Sequence, residues 1–212
     1  MAPAPDSALR GKFIVVEGVD GVGKSTQVAL VARALGGLGL AVVATREPGG
    51  SELGEKVRDL LNNETGISPI AECLLMSSAR AQHCADLIAP ALTRGDWVIS
   101  DRFTGSFYAY QGYGRGVDLQ TLRTLSELAT GALEPDLVVL LSAGGSEGYR
   151  DLDLSDRFES LGYSFYQRVR EGFIELAREP KWVSVDSHGP VDEITQRIVS
   201  VIVAHFAIPV PK

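Results

Sequence analysis

The chain has 212 residues, 45% hydrophobic and 22% charged, which suits one domain with a sizeable core. Its net charge of −7 excludes a broad basic face, and with it sequence-independent binding to a nucleic-acid polymer. A nucleotide substrate stays open, because a few arginines can hold one phosphate. No secretory signal and no apolar run of about 18 residues is present, so a cytoplasmic protein without a membrane partner is expected.

In chain order, Met1–Arg10 is Pro/Ala-rich and reads as a disordered leader, followed by a single domain over 11–208. Five short β-type runs follow: Phe13–Glu17, Ala41–Arg46, Trp97–Asp101, Leu137–Leu141 and Trp182–Val185. Each is continuously apolar, as for strands covered on both faces. Helix-compatible stretches at 24–38, 51–62, 70–94, 118–131, 156–178 and 190–206 separate them. The alternation predicts an α/β fold: a five-stranded parallel sheet in three α/β/α layers, with ligands at the carboxyl ends of the strands. The Gly-rich piece at about 142–157 is a candidate lid. Cys73 and Cys84 fall in one helical stretch, on one face but ~16 Å apart, too far to pair, and read as free core thiols. Two cysteines and three scattered histidines show no metal-site spacing.

Between the first strand and the first helix stands Gly18-Val19-Asp20-Gly21-Val22-Gly23-Lys24-Ser25, then Thr26. This is the G-x-x-x-x-G-K-[ST] phosphate loop in the context that lets it work. Its N–H groups and the helix N-terminus face the phosphates, Lys24 reaches the outer phosphates, and Ser25 can ligand Mg²⁺. ATP is the expected co-substrate. The second strand runs into Arg46-Glu47-Pro48-Gly49-Gly50, a sharp turn where a cis proline fits. The third ends in Asp101-Arg102, suited to a Mg²⁺-water ligand and a bidentate phosphate contact. Arg80, in an otherwise apolar helix, either snorkels to solvent or points into a cleft. Gln111, in Tyr108-Ala109-Tyr110-Gln111-Gly112, either reads a base edge or is a solvated loop residue.

Together GVDGVGKST at 18–26, TREPGG at 45–50, SARAQH at 78–83 and DRFTGSFYAYQGYGRG at 101–116 resemble the bacterial thymidylate kinases, from about Lys12 to Ala204. The resemblance implies phosphoryl transfer from ATP to dTMP in dTTP synthesis, with Mg²⁺ and a homodimer. It implies that Asp20 takes the sugar 3′-hydroxyl, Arg58 and Arg102 the monophosphate, and Arg80 and Gln111 the pyrimidine. It places Glu47, Pro48, Met76, Ser106 and Phe107 at the substrate, and Glu159 just after the lid. With Gly21 inside the loop, it implies that arginines in or beside the lid, here Arg150 or Arg157, act on the transferring phosphoryl together with Lys24 and Arg102. Met76 stands where the family usually has a stacking phenylalanine, and Phe107 where it has a small polar residue. Phe107 is therefore a candidate replacement for the missing aromatic face; the alternative is that Met76 and Phe107 both simply pack in the core. The alternatives are a related kinase with a different pyrimidine nucleotide or nucleoside acceptor, or a non-catalytic nucleotide-binding module. A switch GTPase is disfavoured, since no Asn-Lys-x-Asp string occurs.

Overall fold

A computed structural model describes residues 10–142 and 162–209. Five strands form one parallel sheet: β1 (Phe13–Glu17), β2 (Val42–Arg46), β3 (Trp97–Asp101), β4 (Leu137–Ser142) and β5 (Trp182–Asp186), in the order β2-β3-β1-β4-β5. The helices are α1 (Lys24–Gly37), α2 (Glu52–Asn63), α3 (Pro69–His83), α4 (Ala89–Thr93), α5 (Thr104–Phe107), α6 (Leu119–Thr130), α7 (Gly162–Leu176) and α8 (Val191–Phe206). The chain direction of the strand order reverses at β1, which is where an open α/β sheet leaves a crevice for ligands.

Strand periodicity divides the core. Ile14 and Val16 point to one face, where Val28, Val31 and Leu35 of α1 and Ile194, Ile198 and Ile202 of α8 cover them. Phe13 and Val15 point to the other, against Ile88, Leu92 and Phe103. Beside them Leu140 of β4 joins Tyr110, Phe165, Val169 and Phe173. Gly172 of α7 is there for close approach, since a Cβ would lie 2.7 Å from the ring of Tyr113.

Three expectations are corrected. β2 and β5 are not covered on both faces: they are the sheet edges, and their residues are largely half-buried or exposed. The helix expected over 70–94 is interrupted by a π-helical turn at Cys84–Ile88. Pro90 has no N–H to donate four residues back, and the wider turn just before it absorbs that loss. The stretch after β3, rich in glycine and read without a helix, is helical: α5 runs into a π-helical turn, Tyr108–Gly114. Its first N–H groups are satisfied by a carboxylate from another strand, Glu17, which no local pattern reveals.

Leu35 is fully buried under the sheet. Leu35→Ala should lower unfolding free energy by about 2–5 kcal/mol through lost burial and a residual cavity. Urea denaturation should show this as a lower midpoint, with nucleotide affinity unchanged at low denaturant.

Candidate active site

The strand register brings the site together. Val16 lies beside Asp101, and Arg46 beside the same residue on the other side. The Glu47 N–H then donates to the Asp101 carbonyl at 2.9 Å, and the Arg102 N–H to the Val16 carbonyl at 3.0 Å. Three chain segments thus leave the sheet at one edge: the phosphate loop, the Glu47–Pro48 turn, whose peptide bond is cis, and Asp101-Arg102.

The loop closes on α1 through Gly23, whose φ of 89° is left-handed and natural for glycine. Among the described residues no side chain caps α1 and no acidic residue occupies its first turn, so its N–H groups and dipole face the cleft. Lys24 is 5% exposed and donates to the Val19 carbonyl at 2.6 Å. Burial and then Arg102 lower its pKa to about 7, outweighing the opposing pull of Asp20, Asp101 and Glu17. The Ser25 hydroxyl donates to one Asp101 carboxylate oxygen, and the other, Oδ1, is buried without a partner among the described residues.

Arg102 is the hub. Its backbone is left-handed, φ 73°. Its guanidinium pairs with Asp20, donates to the Gly18 carbonyl at 3.1 Å and the Ser106 hydroxyl at 2.9 Å, and lies over the Tyr110 ring at 5.3 Å. Tyr110 donates its hydroxyl to Asp20 at 2.5 Å. Burial alone would raise the Asp20 pKa, but Arg102 and Lys24 prevail and hold it below the ordinary carboxylate value. Behind Arg102 sits Glu17, fully buried. One of its oxygens accepts the Phe103 and Ser106 N–H groups at 3.0 and 2.9 Å, and the other the Ser106 hydroxyl at 2.5 Å. Burial pushes the Glu17 carboxyl up, against the lowering effects of Ser106 and Arg102. Glu17 thereby caps α5 and fixes Ser106, which in turn fixes Arg102.

Two cavities meet at this hub. A cleft of about 730 Å³ is lined by Gly21, Gly23, Lys24, Ser25, Thr26, Asp101 and the Thr45–Glu47 turn. A narrower cavity of about 130 Å³ is lined by Pro48, Leu61, Asn62, Glu72, Met76, Ser106, Tyr110 and Gln111. Asp20, Glu47, Arg58 and Arg102 belong to both walls. Arg58 is held there by the Pro48 carbonyl at 3.0 Å. Arg80 points inward and does not snorkel. It is 2% exposed, with Nε on Glu47 at 2.7 Å and Nη2 on the Phe103 carbonyl at 3.3 Å. Its Nη1 is buried without a partner among the described residues. Gln111 is 1% exposed rather than solvated, and its Oε1 also lacks a partner among them.

Phe107 requires a correction. It does not line the acceptor cavity: it is fully buried with Cys73 and Leu122, its face 4.9 Å from the Arg80 guanidinium. It lies on the core side of α5, so its ring braces Arg80 and is not available to a ligand. Met76 does line the cavity. Val19 and Val22 pack their side chains toward the core. Both Glu47 oxygens are taken, one by Arg80 and one by His83 Nδ1 at 3.1 Å, while His83 Nε2 meets Thr45 Oγ1 at 2.7 Å. Arg150, Arg157 and Glu159 lie outside the described residues. The sequence reading missed Glu17, Tyr110, Glu72 and His83 as supports. A charged residue closing an apolar strand directly before the phosphate loop was the one available signal for Glu17. Cys73 and Cys84 are buried and unpaired, their thiols pushed up by burial to about 11 and about 12, which leaves them unreactive.

An uncapped helix N-terminus, a buried lysine and a hydroxyl–carboxylate pair on one cavity, with arginines shared by a second, define a P-loop phosphotransferase whose acceptor is itself anionic. The comparisons narrow the class. The family profile described as Thymidylate kinase matches residues 16–198. The thymidylate kinase of Synechococcus sp. (strain CC9605) is 42% identical over 209 residues, covering 94% of this chain and 100% of that protein. That of Carboxydothermus hydrogenoformans is 46% identical over 190 residues, covering 88% and 94%. The crystal structure of thymidylate kinase from Ehrlichia chaffeensis superposes with a TM-score of 0.76 at 30% identity, over 91% of this chain and 99% of that one. The chain belongs to the thymidylate kinase family.

The lysine provides a test. A bound phosphate favours charged Lys24 and returns its pKa toward the ordinary 10.5, so binding takes up a proton at pH values between these limits. ATP titrated calorimetrically at about pH 8.5 should show a buffer-dependent enthalpy of the sign of proton uptake, absent in Lys24→Met. Affinity should weaken as pH rises above about 7.

Proposed function

We propose that the protein transfers the γ-phosphoryl group of ATP to the 5′-phosphate of dTMP, giving ADP and dTDP, as a step in dTTP synthesis. The observation that carries this reading is the pair of arginines, Arg58 and Arg102, on the wall common to the phosphate-loop cleft and the narrow cavity. Two guanidiniums there suit an acceptor that is already a phosphate. An anionic phosphate oxygen can attack without a general base, so the protein's work is alignment and charge neutralisation.

ATP phosphates lie along the Gly18–Thr26 loop, with Lys24 on the outer phosphates. Arg102 holds the acceptor phosphate beside them, and Asp20 accepts the sugar 3′-hydroxyl. Arg80 and Gln111 take the edge of the base, whose ring face meets Met76. The donor set suits Mg²⁺, which keeps most of its water and binds few protein oxygens. Ser25 Oγ and Asp101 would hold it, the hydroxyl as a ligand and the carboxylate oxygen Oδ1, unpartnered among the described residues, through a water. When bound, the ion neutralises charge on the β- and γ-phosphate oxygens. Among the described residues no cluster of three His, Cys, Asp or Glu offers a different metal site. Arg157, or Arg150, brings a further cation to the transferring group, and the Asp186–Pro190 segment faces the adenine.

The protein works as a homodimer in the cytoplasm. Ile70 and Leu74 on α3 are about half exposed and Leu128 on α6 is 77% exposed, on two helices that pack together, and a second copy would cover them. Among the described residues no helix is long and apolar enough to cross a membrane.

Coupled ADP release with ATP, Mg²⁺ and each of dTMP, dUMP, dCMP and thymidine tests the reading. Fast turnover of dTMP and none of thymidine is expected, while turnover of thymidine or inertness toward every monophosphate would overturn it. Replacing Arg157 by alanine should lower kcat by about a hundredfold or more with little change in KM for dTMP. Normal turnover in both Arg157→Ala and Arg150→Ala would remove the lid cation from the mechanism.

A further inference from the structure

We propose that Glu72, clamped by Arg115, sets the base specificity of the acceptor site by holding the Gln111 amide in one orientation. The inference rests on the dTMP-accepting reading above and goes beyond it to a residue that need not touch the substrate.

Glu72 lies in the first turn of α3, is 2% exposed and lines the narrow cavity beside Gln111. Arg115 grips it through Nε at 3.2 Å and Nη2 at 2.9 Å. A carboxylate paired this way with a guanidinium offers only acceptors. The Gln111 group facing it must therefore be the NH₂, and Nε2 donates to Glu72 Oε1 at 2.8 Å. Turning the amide over would set its oxygen against a carboxylate oxygen and bury an unpaired repulsion. Gln111 Oε1 is consequently the atom left over, buried and unpartnered among the described residues.

Arg80 lines a small adjoining pocket that shares Glu47, Pro48, Met76, Arg102 and Ser106 with the narrow cavity, and its Nη1 is the complementary leftover among the described residues, a buried donor whose sister nitrogens are bound to Glu47 and the Phe103 carbonyl. The site therefore keeps one acceptor and one donor for a base. The imide edge of thymine or uracil presents a donor at N3–H and an acceptor at C4=O, which satisfies both. Cytosine presents the reverse at the same two positions and would leave both protein atoms unsatisfied or opposed. A site with committed polar atoms rejects the mismatched analogue far more strongly than an apolar pocket does. An unclamped glutamine could turn its NH₂ toward cytosine N3, and the Glu72–Arg115 pair removes that freedom.

The test is kcat/KM for dTMP, dUMP and dCMP with the full-length wild type and with Glu72→Gln, whose amide can donate as well as accept. In the wild type dUMP should be used at least about tenfold better than dCMP, the worth of one hydrogen bond of about 1.4 kcal/mol. In Glu72→Gln that ratio should fall by about tenfold while KM for ATP stays unchanged. A loss of packing alone would lower all three acceptors together and leave the ratio where it was. A wild-type dUMP-to-dCMP ratio near one, or an unchanged ratio in a variant that melts with the wild type, would overturn the proposal. If Glu72→Gln does not fold, Glu72→Met, which removes the acceptor at similar volume, replaces it under the same criteria. Wild-type turnover of no acceptor would instead defeat the kinase reading itself, so the two failures are distinct.

Discussion

The pairing of Arg102 with Asp20 is the interaction on which the site depends. It joins a residue inside the phosphate loop to the residue just after β3, two segments 82 positions apart in the chain. An arginine in a left-handed backbone conformation is unusual. Here the turn is held from every side: the Arg102 N–H by β1, the side chain by Asp20, Gly18 and Ser106, and the following helix by Glu17. The guanidinium thus stands where the two cavities meet, fixed before any phosphate arrives. Such preorganisation is what phosphoryl transfer asks of a protein, since little covalent work falls to it.

The fold explains why these groups coincide. β1 sits between β3 and β4, so the loop that leaves it opens into the crevice at the reversal of strand order. The sheet register then brings the ends of β1, β2 and β3 level. Around this rigid edge the polar groups form chains: Glu17–Ser106–Arg102–Asp20–Tyr110 on one side, and Thr45–His83–Glu47–Arg80 on the other. In a low-dielectric interior each link is strengthened by satisfaction of the next, and an unpaired member is costly. Among the described residues, the buried polar atoms left unpaired at the site, on Arg80, Asp101 and Gln111, are those for which a bound base or hydrated cation would provide the partner.

Much of this was legible in the sequence, for identifiable reasons. Buried parallel strands write themselves as short apolar runs, and the phosphate loop is a contiguous string between a strand and a helix. Arg80 and Gln111 stand out as polar side chains within recognisable motifs, whereas Arg58 is reached only through the family resemblance. What stayed hidden was long-range. Glu17 satisfies N–H groups almost ninety positions away, and without it a Gly-rich stretch reads as a loop although it folds as α5 and a π-helical turn. Phe107 has two readings in the sequence, an aromatic face for the base or a core side chain, and the structure places it in the core. Which side of a four-residue helix a ring occupies is decided by packing against Cys73 and Leu122, not by its neighbours in sequence. Glu72 gives no signal, and His83 appears only as the end of SARAQH with no role, since each acts by fixing another side chain.

Preset by Asp20, Arg102 is placed to recognise the acceptor's phosphate and not its nucleoside. Calorimetric titration of dTMP and of thymidine into the wild type and Arg102→Ala separates the two. The substitution should weaken dTMP binding by about a hundredfold, the worth of two charge-assisted hydrogen bonds, and leave thymidine affinity unchanged. Equal loss for both ligands, or no loss for dTMP, would contradict that role of Arg102.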